Sequence, residues 1–443
     1  LLRVVRGLMA WVIRLAVMLA LLQHSSYPLG LRWNAVAVLA SDYQFDYVTW
    51  ELGAVGVKVE QSLYGLHPFM SEAARADLVR AYMNDLAEAQ RLDGQISAIY
   101  ADPAQPNALA ASAELRTRRD ALRADLEGRQ SLVESILEGQ VAAVLVEQGF
   151  GQLGQVLPPV SAHFTRVPNL LVVSPRDQIR FDVSINLNPL STDQMAALEA
   201  RIDAEQNVSS LIVPLGGIAL YPAMVLETAS IPGALDTIAH EWLHHYLFFF
   251  PLGLSYFSGD GFAGETRIIN ETTAALFGQE VGRLALAKFY PDLAVRLSSP
   301  LNLPIAWRGD LNTAAASLTR GGAVRSRWVQ AVPFDFNREM DTTRRQVDAL
   351  LAEGKVDEAE AYMEERRRLF VENGYVIRKL NQAFFAFYGG YQAGGTAGAG
   401  GSDPIGPAVL ALRQASPTLH DWIVTLRGIT TREQLLAAAD LIQ

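Results

Sequence analysis

Three of the chain's seven histidines fall within six consecutive positions, in the run His240-Glu241-Trp242-Leu243-His244-His245. This run constrains the chain more than any other feature. Residues four apart lie on one face of a helix, so His240 and His244 can reach a single metal ion only if the segment is helical. Glu241, one step round, is then placed to act as a general base beside that ion. Pro232-Gly233 precedes the run and suits a helix start, and the pattern predicts a helix over 233–250. Ile238, Trp242, Leu243 and Leu247 surround the polar residues, so the helix is expected to be buried, with Trp242 and Leu243 as core. The chain has no cysteine. Disulfides, thiolate zinc sites and cysteine nucleophiles are therefore excluded, and any metal must rest on His, Asp and Glu.

A catalytic zinc site needs a third protein ligand and one open position. A third histidine ten residues after His240 would continue a metzincin pattern, but Phe250 stands there. The next predicted helix, 265–289, contains Asn270-Glu271-Thr272-Thr273-Ala274. One face of it carries Glu271, Ala275, Gly278 and Gly282, and small residues beside a carboxylate would let this helix approach the first closely. Glu271 is the expected third ligand, and Asp260 and Glu265 compete for the role. His245 lies about 100° round from His244 and is expected to pack or hydrogen-bond. Asp236, one turn before His240, is a candidate to orient a ligand ring.

On these residues the segment from about 215 to 285 resembles the gluzincin class of zinc metallopeptidases, the thermolysin-like group. Their H-E-x-x-H helix is followed by a helix that supplies a glutamate ligand, often within an N-E motif. The resemblance implies a zincin-like core with Zn2+ on His240, His244 and Glu271. It also implies Glu241 as the base in peptide hydrolysis, a peptide or protein substrate, and an edge strand within 216–227 that holds the substrate backbone. A further donor for the developing oxyanion is needed; Tyr375, Arg378, Tyr388 and Tyr391 are candidates, with His420 a weaker one. The alternative is a non-catalytic membrane-tethered scaffold with a structural or degenerate metal site. Glu241 speaks against it, because structural zinc needs no base beside its ligands.

Elsewhere the chain reads as α+β and mostly helical. Apolar residues at helical intervals predict helices over 72–99 and 110–147, joined by a proline-containing turn into a long hairpin. This hairpin could serve as a spacer or shielding arm, or could simply pack. Short β-rich runs bounded by Pro, Gly and Asn fill 157–226, interrupted by a helix over 191–205. Helices are expected again at 336–353 and 356–387, before a glycine-rich loop over 389–406. These patterns divide the chain into an N-terminal region (1–40), a helical hairpin region (41–150), a zincin-like core with a small β-sheet (151–335) and a C-terminal helical region (336–443). Residues 7–22 are apolar apart from Arg14, with Arg3 and Arg6 before them. That run is slightly short of the roughly 20 residues of a membrane-spanning helix, and it predicts a membrane anchor or signal segment with the catalytic domain outside the cytoplasm, or a secreted protein. Ala35-Val36-Ala37 has the form of a cleavage site. The net charge of −10 provides no basic field for nucleic acid, which is not an expected partner.

Overall fold

The computed structural model describes residues 32–64, 67–101, 107–152, 154–257, 264–298, 334–375, 377–392 and 398–441. They form an α+β fold, mostly helical, with sheets of two or three strands. Helices α1 (Arg32–Leu39) and α2 (Tyr47–Tyr64) lead into the hairpin of α3 (Glu72–Ala101) and α5 (Ala113–Leu145), with the single turn α4 (Ala108–Ala111) between them. At 30 and 33 residues, the two long helices reach about 45–50 Å. They do not stand apart as an arm. Leu86 of α3 and Val133, Leu137, Val141 and Val144 of α5 join one hydrophobic core with α7 (Ile231–Leu247) and α9 (Glu265–Phe289). A π-helical turn, Val146–Phe150, follows α5 and ends the helical run, with Gly149 at a φ of 92°, a left-handed conformation that favours glycine.

The β-rich region resolves into a two-residue hairpin, β1 (Gly151–Gln152) with β2 (Gln155–Val156), and two three-stranded sheets. In the first, β4 (Asn169–Pro175) lies between β5 (Val183–Leu187) and β6 (Val208–Pro214), antiparallel to both. Successive side chains of a strand point to opposite faces. Leu171 and Val173 accordingly pack with Val36 of α1 and Ile202 of α6 (Thr192–Gln206). Leu170 and Val172 pack with Val347, Met363 and Phe384, from α11 (Phe336–Ala352), α12 (Val356–Glu372) and α13 (Gln382–Tyr388). Both faces are covered, so every residue of β4 is buried and the strand reads as a continuous apolar run. The second sheet has the order β3-β8-β7: β3 (Ala162–Thr165) runs parallel to β8 (Ala223–Leu226), and β7 (Gly217–Ile218) pairs antiparallel as an edge strand.

After the short α8 (Pro251–Phe257) and α10 (Pro291–Ser298), the C-terminal helices α14 (Ile405–Ala415), α15 (Leu419–Leu426) and α16 (Arg432–Asp440) complete the core around α9. The helix expected over 356–387 is broken. Helix α12 stops at Glu372, Gly374 adopts a φ of 90°, and α13 starts afresh with the Asn381 side chain accepting from the Phe384 N–H at 2.9 Å. The expected 233–250 helix ends at Leu247, because Pro251 restrains the preceding backbone and begins α8.

The expectation of a transmembrane helix is corrected: among the described residues no helix is long and apolar enough to cross a membrane. The apolar run at 7–22 lies outside the described residues. Ala35-Val36-Ala37 sits within α1, with Val36 fully buried against the first sheet.

Candidate metal centre

Helix α7 begins at Ser230, whose side chain accepts from the Gly233 N–H at 3.2 Å, with Pro232 in the first turn. The helix has two working faces. On one, Trp242 is buried, donates its indole N–H to the Pro158 carbonyl at 2.8 Å and packs against Phe150 and Phe277. The other carries His240 and His244. Helix α9 crosses this second face at very short range. A side chain at Gly278 would place Cβ 2.6 Å from the Asp236 carbonyl and 3.0 Å from the His240 Cβ. At Gly282 it would meet the Asp236 carboxylate at 1.7 Å. Only glycine permits this approach, and the approach carries Glu271 to the two histidines.

The three donor groups converge. His240 Nε2 and His244 Nε2 are 3.1 Å apart, and Glu271 Oε2 lies 3.5 Å from the first and 3.7 Å from the second. Donor atoms at zinc–ligand distances of about 2.0–2.1 Å in a tetrahedral arrangement stand roughly 3.3 Å from one another. Two imidazole nitrogens aimed at each other beside a carboxylate therefore fit one divalent cation. His240, His244 and Glu271 form the candidate metal triad of the described residues. Glu265 is elsewhere: it accepts from the Arg432 backbone N–H at 3.2 Å and pairs with the Arg432 side chain. Asp260 lies outside the described residues.

The surroundings tune these groups. Burial pushes the Glu241 carboxyl up to about 7, with His240 opposing and the Glu271 charge reinforcing the shift. Burial pushes His244 down to about 4. Burial acts against ionisation of Glu271 too, but the neighbouring His244 and His240 outweigh it and hold the carboxyl well below its usual range. Tyr256 of α8 donates its hydroxyl to Glu271 Oε1 at 2.6 Å and stacks on the His244 ring, 5.5 Å between centroids and 8° between planes. Asp236 is raised above the carboxylate range by burial, with Arg283 and His240 opposing, and its backbone and side chain fill the gap toward α9.

A cavity of about 320 Å3 opens beside the triad, bounded by β7, α8 and the start of α9. Gly217 of β7 passes directly over Glu241; a Cβ there would stand 2.3 Å from the Glu241 Oε1. His245 lies outside the triad: it donates Nε2–H to the Leu220 carbonyl at 2.6 Å and so fastens the turn after β7 to α7. Of the oxyanion candidates only Tyr391 lines the cavity. Tyr375 packs on Phe334 and Phe336, Tyr388 on Phe384 and Phe387, and Arg378 pairs with Glu199. His420 lies against Phe150, on the Trp242 side of α7. Sequence reasoning passed over two residues at the centre, Tyr256 and Arg267. Arg267 had a local signal, because it stands one turn before Glu271 on the same helix face. Tyr256 had none, since its position depends on how α8 folds back.

No protein-family model matches the chain, and comparison with curated proteins and with solved structures gives no match.

Proposed function

We propose that this chain is a zinc-dependent peptidase of gluzincin type. The observation that carries the reading is the convergence of His240, His244 and Glu271, with the Glu241 carboxyl beside them beneath an edge strand. Zinc held by these three residues would supply Lewis acidity toward water and the scissile carbonyl. Glu241 takes the proton of the attacking water and passes it to the leaving amine as the C–N bond breaks, giving a carboxylic acid and a free amine. Glu241 lines the cavity beside the two histidines, where a general base for such a transfer is needed. The open edge of β7 offers backbone groups to an extended substrate, and Gly217, without a side chain, lets that strand lie against the Glu241 carboxylate. Tyr391 serves as the donor to the carbonyl oxygen as charge develops there. Glu241→Gln tests the assignment. Peptide hydrolysis should fall by roughly 10²–10⁴-fold while bound zinc remains at the wild-type level; unchanged hydrolysis refutes the role.

A further inference from the structure

A second charged group faces the same cavity and has no part in the scheme above. Arg267 is buried, 3% exposed, yet it lines the cavity with Tyr391 and Phe387. It lies 4.2 Å over the Phe181 ring and 5.4 Å over the Tyr391 ring. Its hydrogen bonds to the chain are long, 3.3 Å to the Phe387 carbonyl and 3.5 Å to the Ala386 carbonyl, and it also reaches the Tyr391 hydroxyl. Among the described residues no carboxylate stands within ion-pairing distance of it. Gly390 is what admits it, because a Cβ there would fall 2.0 Å from an Arg267 nitrogen. A guanidinium has five donors in a planar fork, suited to two-pronged binding of a carboxylate; the Glu271 charge acts on this one from a distance and leaves the fork without a direct carboxylate partner.

A carboxylate is the group that fits this fork. Arg267 and Glu271 are one helical turn apart, so such a group would bind a short distance from the metal. The cavity is at the lower end of the range of about 300–1,000 Å3 for ligand pockets, with Phe387 and Leu170 among its walls, a size that suits the last residue of a chain.

We propose that Arg267 binds a carboxylate of the substrate, the free C-terminal carboxylate of a peptide seated with its last residue in the cavity. This rests on the peptidase reading and makes the activity that of a carboxypeptidase.

The test is binding and cleavage of three probes by the full zinc-loaded chain: N-acetyl-Ala-Ala-Phe as the free acid, the same peptide as its C-terminal amide, and an amide-terminated peptide with an internal Glu. Affinities are measured by calorimetry in the Glu241→Gln variant, which prevents turnover, and repeated on the metal-free chain. The free acid should bind at least tenfold more tightly than the amide, in the metal-free chain as well, and wild-type chain should release its terminal Phe. Arg267→Lys, which keeps the charge but loses the fork, should narrow the gap; the acid–amide comparison on unsubstituted Arg267 stands even if that variant does not fold. Equal affinity for acid and amide overturns the proposal. An amide-terminated Glu peptide binding as well as the free acid assigns Arg267 to a side-chain carboxylate and overturns the terminal one. Cleavage of acid and amide alike at internal bonds leaves the peptidase reading standing and removes this inference. Acid preference in binding without cleavage of any probe keeps carboxylate recognition and removes the peptidase reading.

Discussion

Tyr256→Phe removes the tyrosine hydrogen bond that helps to orient the carboxylate of the candidate triad. The substitution deletes a single oxygen and keeps the ring, so stacking on His244 is retained. What is lost is an O–H···O contact of 2.6 Å to Glu271 Oε1 between two residues that are 7% and 5% exposed. A hydrogen bond to a charged group is worth about 1.5–3 kcal/mol net. Residues that orient metal ligands typically change metal affinity by roughly 10–100-fold when removed. The two figures agree, since 1.4 kcal/mol corresponds to about a factor of ten. Zinc affinity measured by competition with a chromogenic chelator should therefore fall by about 10–100-fold, with stoichiometry unchanged. The metal-free variant should also melt at a lower temperature than metal-free wild type, because a buried carboxylate oxygen has lost its donor. Unchanged zinc affinity in a folded variant would refute the claim that Tyr256 sets the Glu271 geometry, and with it the view that α8 belongs to the site.

The helix crossing makes a sharper steric prediction. Gly278→Ala should cost about 1–3 kcal/mol and weaken zinc binding, because Cβ would press on the backbone of Asp236 and His240. Gly94→Ala, in α3 with open space around it, should instead stabilise by about 0.5–1 kcal/mol, and chemical denaturation of both variants checks the contrast. His245→Leu should leave zinc stoichiometry intact while amide exchange speeds up around Leu220, whose carbonyl loses its donor; loss of zinc would instead make His245 a ligand. Away from the site, Lys58 binds the buried carboxylate of Glu134 at 2.7 Å and the partly buried one of Glu138 at 2.8 Å. Lys58→Met should destabilise by about 3–5 kcal/mol near neutral pH. Burial already holds the Glu138 carboxyl up, and without the lysine it rises further, while Glu134 loses one of the two partners, His163 and Lys58, that hold it low; the deficit should therefore shrink as the pH falls and grow as it rises. A deficit independent of pH in denaturant titrations would contradict this.

The candidate metal triad was legible in the sequence because each member depends on local geometry. A four-residue spacing brings His240 and His244 together wherever the segment is helical, and Gly278 and Gly282 announced a close crossing before any partner was known. The contact face is rotated slightly from the expected one: Ala274 is fully buried while Ala275 is only partly so, as a helix crossing at an angle requires. Tyr256 could not be read, because it reaches Glu271 through a turn of the chain after α7. Arg267 shares a face with Glu271, but only the Phe181, Phe387 and Tyr391 rings, drawn from distant segments, make it a cavity residue. Similarly, the hairpin's helical spacing was plain while its destination was not. Apolar spacing on α3 and α5 specifies a buried stripe, and only the tertiary fold places it against α7. The division of the β-rich region into two sheets was equally hidden, since alternation indicates which residues are buried but not against which strand.

The central claim is that His240, His244 and Glu271 hold one zinc ion, and metal content tests it most directly. Elemental analysis of the purified chain after reconstitution at neutral pH should give one zinc per chain in wild type and Glu241→Gln, and marked loss in Glu271→Ala and His240→Ala. No zinc in the wild type, or undiminished zinc in Glu271→Ala, would contradict the account.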